Sequence, residues 1–305
     1  MNTHPETLIP AQPRRSISSL ISTITALFKL RVVALLLFAA VAGAFLGAGG
    51  WPGTRPMGVL VLAGGLSAAG ASAINEYLEQ EIDGRMERTK QRPLVSGAIT
   101  RPRWVPVLGG GLVAAPAMAV LPFNPTLSFF LIVGAVIYVV VYTLWLKPRT
   151  PLNIVIGGTA GSCAVLSGGA AVGAWTDPGV LGLALLILLW TPIHFWSLAL
   201  AYREDYERSG IPMLPVRTTP YRAAWWSLLH GLVGGIVGIA LVLHVALGLV
   251  YLIPVSVATL CFWGVSGRLV FQPTRRKAWQ VFHVSNLYLA LVLLCICLDV
   301  VLGVR

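Results

Sequence analysis

Charge is what this 305-residue chain has least of: Asp, Glu, Lys and Arg together make up 11% of it, against about a quarter in a typical soluble domain. So few charges cannot clothe a water-facing surface of this size, and a soluble globular protein is excluded. Acids are the scarcer sign, eleven against 22 bases. Cysteine is rare too: Cys163, Cys261, Cys295 and Cys297 all fall inside apolar runs. They offer neither a disulfide framework nor zinc-ligand spacing, and read as small buried hydrophobes. No secretory signal is expected either, because Arg14-Arg15 is not followed by a short apolar core and a small-residue cleavage site. The net charge of +11 is scattered over short loops with no aromatic RNA-binding signature, which excludes nucleic acid as a partner.

Apolar sequence fills the space instead, with 56% hydrophobic residues and a mean hydropathy of +0.80. Nine runs near the length of a bilayer core stand at roughly 28–49, 57–78, 103–121, 126–146, 153–173, 178–200, 224–246, 249–270 and 280–302. Residues 1–27 read as a polar segment, irregular to about Ser19, ahead of a single nine-helix domain over 28–305. With the N-terminus in the cytoplasm, all Lys and Arg except Arg55 and Arg305 collect on one side of the membrane. The expected class is therefore an all-α integral membrane protein, a nine-helix bundle with its N-terminus cytoplasmic and its C-terminus outside. Small-residue pairs such as Gly109–Gly111, Gly168-Gly169 and Gly234-Gly235 are expected where helices pack closely.

The few acids are concentrated. In NEYLEQEIDGRMERTKQRPLVSG (75–97), Asn75, Glu79 and Asp83 recur every four residues and share one helix face. Arg85, Arg88, Lys90 and Arg92 follow at once. Oxygen donors suit Mg²⁺, which binds through one or two carboxylates plus substrate phosphates; adjoining bases suit an anion. Together they point to a metal-bridged phosphate, against the plainer reading of a solvated, salt-bridged helix end. Glu204, Asp205 and Glu207 repeat the theme four spans later, again at a helix end and again with arginine next. The two clusters, 75–92 and 204–216, read as a weak internal duplication whose acidic motifs converge across a bundle. Glu76 and Glu87 read as loop solvation and Asp177 as a turn residue, while Asp299 finds no role.

These stretches resemble the UbiA-type intramembrane prenyltransferases. The likeness runs through KLRVVALLLF (29–38), residues 75–99, YTLWLKPRTPLNIVIGGTAGS (142–162), WTPIHFWSLALAYREDYERSGIPMLPV (190–216) and SNLYLALVLL (285–294). The combination of RT-x-x-RPL, LK-x-RTP-x-NIVIGG, HFW and GIPMLPV resembles the members that modify heme. The resemblance implies a cavity opening to the cytoplasmic side, Mg²⁺ as cofactor, and farnesyl diphosphate and heme b as substrates. It implies farnesyl transfer to a heme vinyl group with addition of water, giving heme o and diphosphate. It assigns metal binding to Asn75, Glu79, Asp83, Glu204 and Asp205, with Asn75, Glu79, Asp83 and Asp205 as the catalytic set. It assigns diphosphate binding to Arg88, Lys90, Arg92, Lys147 and Arg149, and heme contact to His194 and Tyr206. The bilayer of a bacterial cytoplasmic membrane is the expected setting, with a heme A-forming enzyme as a candidate contact. Departures from the pattern are Glu79, Glu81 and Glu204 in place of aspartate, Ile193 in place of proline, and no proline between Cys163 and Gly168. They keep another acceptor open (an aromatic acid or a chlorin); a transporter is a separate alternative, although transporter sites favour mid-membrane positions on broken helices.

Overall fold

The computed structural model describes residues 17–303, which form helices and connecting turns without a strand. Arg14, Arg15 and Arg305, used above to assign sidedness, lie outside the described residues. The helices are α1 (Ile17–Leu27), α2 (Leu30–Ala48), α3 (Thr54–Leu78), α4 (Gln80–Gly84), α5 (Trp104–Val120) and α6 (Pro125–Val136). α6 runs on as a π-helical segment, Ile137–Leu146. There follow α7 (Asn153–Gly157), α8 (Thr159–Ala171), α9 (Pro178–Ala201), α10 (Arg203–Ser209), α11 (Leu214–Arg217), α12 (Pro220–Ala240), α13 (Leu249–Phe271) and α14 (Arg275–Leu302).

Each apolar run is helical. Eight are long and apolar enough to cross a membrane, with α6 plus its π-helical extension and α7 plus α8 each counting once. The remaining one, α5, has 17 residues, about 25 Å of helix and at the short end of the spanning range. The start of the chain differs from expectation: the segment expected to be irregular to about Ser19 is helical from Ile17. Interspersed Ser and Thr hide the pattern, but Ile17, Leu20, Ile21 and Ile24 form one exposed stripe at helical spacing while Leu27 is buried. Cys261 also faces outward, whereas Cys163 and Cys295 are buried.

The helix starts follow from punctuation in the sequence. Asn124-Pro125, Asp177-Pro178 and Thr219-Pro220 each place a capping side chain before a proline at the first helical position. Asn124 accepts from the Leu127 N–H at 2.9 Å, Asp177 from Gly179 at 2.8 Å and Val180 at 3.1 Å, and Thr219 from Arg222 at 3.3 Å. Asp177 is thus a helix cap rather than a simple turn residue, and it also pairs with His244. Asp299, which had no role in the sequence, caps α13 from another helix. Buried on α14, it accepts from the backbone N–H groups of Gly248 at 2.6 Å and Tyr251 at 2.9 Å.

Neighbour contacts close a ring, α2–α3–α5–α6–α8–α9–α12–α13–α14 and back to α2, with α2 also against α8 and α9 against α14. α9 is the most enclosed member: 72% of its apolar stretch is buried against other helices, compared with 28–50% in the other long spans. Close approaches set the seams. A Cβ at Gly168 would lie 1.8 Å from the Ala40 carbonyl oxygen, and one at Gly109 2.8 Å from that of Gly70, whereas Gly110 and Gly111 face open space. Gly168→Val should therefore cost about 3 kcal/mol or more by forcing α2 from α8, while Gly110→Val should leave stability nearly unchanged. Thermal unfolding of both variants in detergent checks this; equal melting temperatures would contradict the seam.

Candidate active site

Five connections meet at one end of the bundle: the turn before α2, the segment from α4 to α5, the end of the π-helical segment, the stretch from α10 to α11, and the start of α14. Lys29 reaches Asn75, Lys147 reaches Glu79, the Arg88 backbone N–H reaches Asp205 at 3.4 Å, and Arg275 lies 6.0 Å from the Tyr202 ring centre. These are the five connections that the charge pattern groups on one side.

The acidic strip lies where α3 breaks into α4, and it is buried rather than solvated. Asn75, Glu79 and Asp83 are 1%, 4% and 3% exposed. Each is engaged by a base. Lys29 donates to the Asn75 Oδ1, Lys147 to Glu79, and Arg92 to Asp83 at 2.5 Å with Glu79 4.0 Å away. Burial disfavours the Glu79 carboxylate, yet Lys147 and Lys29 outweigh it and hold its pKa below the ordinary range. Burial likewise opposes the Lys147 ammonium, and Glu79 reverses the sign, holding it above its usual value. Lys29 goes the other way. Burial, then repulsion from Arg92, bring it down to about 8 despite Glu79.

Local structure explains how the bases arrive. Lys29 has φ +49°, the left-handed region that a residue with a Cβ seldom occupies. The kink between α1 and α2 turns its side chain onto Asn75 and onto the Tyr138 hydroxyl at 3.2 Å. In the π-helical segment, i→i+5 bonds such as Lys147 N–H to Tyr142 C=O at 2.8 Å widen the turn. Tyr138, Thr143 and Lys147 thereby share the face toward the strip, where Thr143 Oγ1 accepts from Asn75 Nδ2 at 2.8 Å.

Asp205 is buried, held by Arg208 and the Arg88 N–H, and Tyr206 packs beside it among Met86, Ile154, Trp196 and Met213. Several expected residues sit elsewhere. Glu204 is exposed, Lys90 pairs with Glu87 at the surface, and Arg149 turns back onto the carbonyls of Leu144 and Trp145. Glu76 is the reverse case. Read as loop solvation, it is 0% exposed, and neither carboxylate oxygen has a hydrogen-bond partner. It sits one residue after Asn75, on the inner face of α3 rather than in a loop. Lys29, Tyr138 and Thr143 escaped sequence reading because apolar runs or topology accounted for them. The one usable signal was a lysine at the very start of a span.

His194 lies deeper on α9, 8% exposed, stacked between Trp190 and Phe282 at 4.3 and 4.6 Å. His283 is exposed and stacks on Trp279. Among the described residues no three His, Cys, Asp or Glu side chains gather as a closed cation site. The donors Asn75, Glu79, Asp83 and Asp205 are all hard oxygens and fit Mg²⁺ chemically, but in this structure bases occupy them. Orphaned buried atoms, Glu76 Oε1 and Oε2 and Asn153 Oδ1, mark the same region as built for a polar guest.

The model of the UbiA prenyltransferase family matches residues 36–292. The chain belongs to the UbiA prenyltransferase family. One relative, the protoheme IX farnesyltransferase of Metallosphaera sedula, is 42% identical over 287 residues, covering 93% of this chain and 98% of that one. Among solved UbiA-type folds, digeranylgeranylglyceryl phosphate synthase matches with a TM-score of 0.77 at 18% identity, covering 92% and 98% of the two chains. A UbiA homologue from Archaeoglobus fulgidus bound to DMAPP and Mg²⁺ matches at 0.59 with 15% identity, covering 90% and 99%. This UbiA member is thus an all-helical prenyltransferase.

In this UbiA chain the Glu79–Lys147 pair is nearly closed to solvent, so breaking one side strands a charge. Lys147→Met should cost about 3–5 kcal/mol, and Glu79→Gln with Lys147→Met should recover most of it. Unfolding free energies in detergent test this; additive losses would contradict the pairing.

Proposed function

We propose that this prenyltransferase transfers the farnesyl group of farnesyl diphosphate to a vinyl group of heme b, with addition of water, giving heme o and diphosphate. The single observation that carries the reading is the buried acid–base constellation at one end of the bundle, which lies on the same helix system as a buried imidazole. All nine apolar helices cross the bilayer in this reading, with the N-terminus and the site cytoplasmic. A hard cation would be held by Asn75, Glu79, Asp83 and Asp205, and Mg²⁺ would supply charge neutralisation of the departing diphosphate when bound. The name of the Metallosphaera sedula relative supports the heme acceptor, and the ligands of the Archaeoglobus fulgidus homologue support prenyl diphosphate with a divalent cation.

The chain's own residues account for donor activation. Lys147, Lys29 and Arg92 neutralise the carboxylate strip while no diphosphate is present. An arriving diphosphate draws these bases to its own oxygens and leaves the carboxylates as cation donors. The allylic C–O bond then breaks with its electron pair leaving on diphosphate, whose growing charge faces preorganised ammonium and guanidinium groups. The vinyl π-electrons form the new C–C bond. Water adds to the remaining vinyl carbon and gives up a proton. Apolar helix faces around the prenyl chain keep bulk water from the allylic cation.

Purified protein in detergent, incubated with heme b, farnesyl diphosphate and Mg²⁺, should yield by mass spectrometry a heme heavier by one farnesyl group plus one hydroxyl group. The product should vanish with EDTA and in Asp83→Asn, which should stay folded. Arg92→Ala should chiefly raise KM for the diphosphate. No heme product, with metal-dependent consumption of farnesyl diphosphate intact, would discard heme as acceptor; activity in folded Asp83→Asn would discard the metal assignment.

A further inference from the structure

Ser285, on α14, makes contacts that bear on the chemistry of His194. Its hydroxyl donates to the Phe282 carbonyl at 2.8 Å. A serine has one hydroxyl proton; with that proton on the Phe282 carbonyl, the 3.0 Å contact between Ser285 Oγ and His194 Nδ1 leaves the imidazole to donate. Nδ1 then carries the proton and Nε2 the lone pair. The Ser285 carbonyl accepts the Trp190 indole N–H at 2.8 Å. Trp190 and His194, four apart on one face of α9, are therefore both held by the same residue of α14.

The surrounding rings restrict how His194 can be approached. Trp190 covers one face of the imidazole at 4.3 Å and 16°, Phe282 stacks on it at 4.6 Å and 27°, and Phe195 stands edge-on at 5.1 Å. With its faces taken, the ring has its second nitrogen directed in its own plane, along the Nε2 lone pair. Among the described residues Nε2 has no hydrogen-bond partner, and none of the groups stacked on or bonded to the ring is charged. A histidine whose second nitrogen is anchored by a hydrogen bond is the form in which imidazole ligates metals. An aromatic series leads from the acidic end to this position: Tyr202 to Trp279 at 5.3 Å, Trp279 to Phe282 at 5.4 Å, then His194.

We propose that Ser285 is a positioning residue that holds His194 in its Nδ1-protonated tautomer and so presents Nε2 as an in-plane Lewis base for the iron of a porphyrin acceptor. The ligand part rests on the heme reading above, while the tautomer stands on contacts within the protein. A helix–helix tie alone would tolerate either tautomer, and that difference can be measured.

The test is ¹⁵N NMR of histidine-labelled full-length protein in lipid, with the His194 signals assigned by their loss in His194→Ala, followed by titration with hemin. Wild type should show a protonated Nδ1 and a bare Nε2, and Ser285→Thr should match it. Ser285→Ala, and Ser285→Cys as a second variant with a poor acceptor, should shift the tautomer toward Nε2–H and weaken hemin binding by about tenfold or more. An Nε2-protonated wild type, or a Ser285→Ala protein with unchanged tautomer and hemin affinity, would overturn the proposal. So would hemin bound with the same spectrum in His194→Ala, which would leave the heme reading standing. Failure of wild type to bind hemin at all would overturn both.

Discussion

Buried pairing between a short acidic strip and three bases from three different parts of the chain is the constraint around which the rest is arranged. Glu79 and Asp83 sit almost wholly out of solvent at the end of α3 and in α4, where an isolated carboxylate would be costly to hold ionised. Lys147, Arg92 and Lys29 make the arrangement tolerable. Two of the three bases need an unusual local structure to get there: a π-helical turn for Lys147 and a left-handed residue for Lys29. Such backbone devices are sustained only where surrounding packing over-determines them. The glycine seams of α2 with α8 and α3 with α5 supply that packing.

Under the proposed function, a site balanced in this way has a definite response to ligands. A cation alone meets carboxylates that are already neutralised, and an anion alone meets bases already engaged. A diphosphate and a divalent cation arriving together satisfy both sets at once, which couples their binding. Under the proposed function, reactive chemistry would thereby be withheld until donor and metal are both present. The adjoining α9–α14 interface is different in kind, dry and aromatic, with the His194 imidazole in its interior.

Much of this was legible in the sequence because membrane insertion leaves plain marks. Apolar run lengths marked the eight helices long and apolar enough to cross a membrane and the shorter α5, and the Lys and Arg distribution grouped the five connections that do meet at one end. The four-residue spacing of Asn75, Glu79 and Asp83 gave the acidic face. What stayed hidden depends on side-chain direction within a helix end. Spacing cannot tell that Glu204 points outward while Asp205 points in, or that Arg149 folds back on its own chain while Lys147 reaches Glu79. Glu76 was misread because a carboxylate near a helix terminus usually finds water, and here α3 carries it inward. Asp299 was opaque because it caps a helix 48 residues away in sequence at its Tyr251 contact. α1 was missed because Ser and Thr dilute its apolar stripe.

The central claim, that the bases hold the acidic strip closed to metal until diphosphate takes them up, is most directly tested with Mn²⁺ as a paramagnetic stand-in for Mg²⁺. Free Mn²⁺ is followed by electron paramagnetic resonance during titration of the purified protein, with and without a non-reactive thiolo analogue of farnesyl diphosphate. The account predicts Mn²⁺ binding about tenfold or more tighter when the analogue is present. Equal Mn²⁺ affinity with and without the analogue would contradict it.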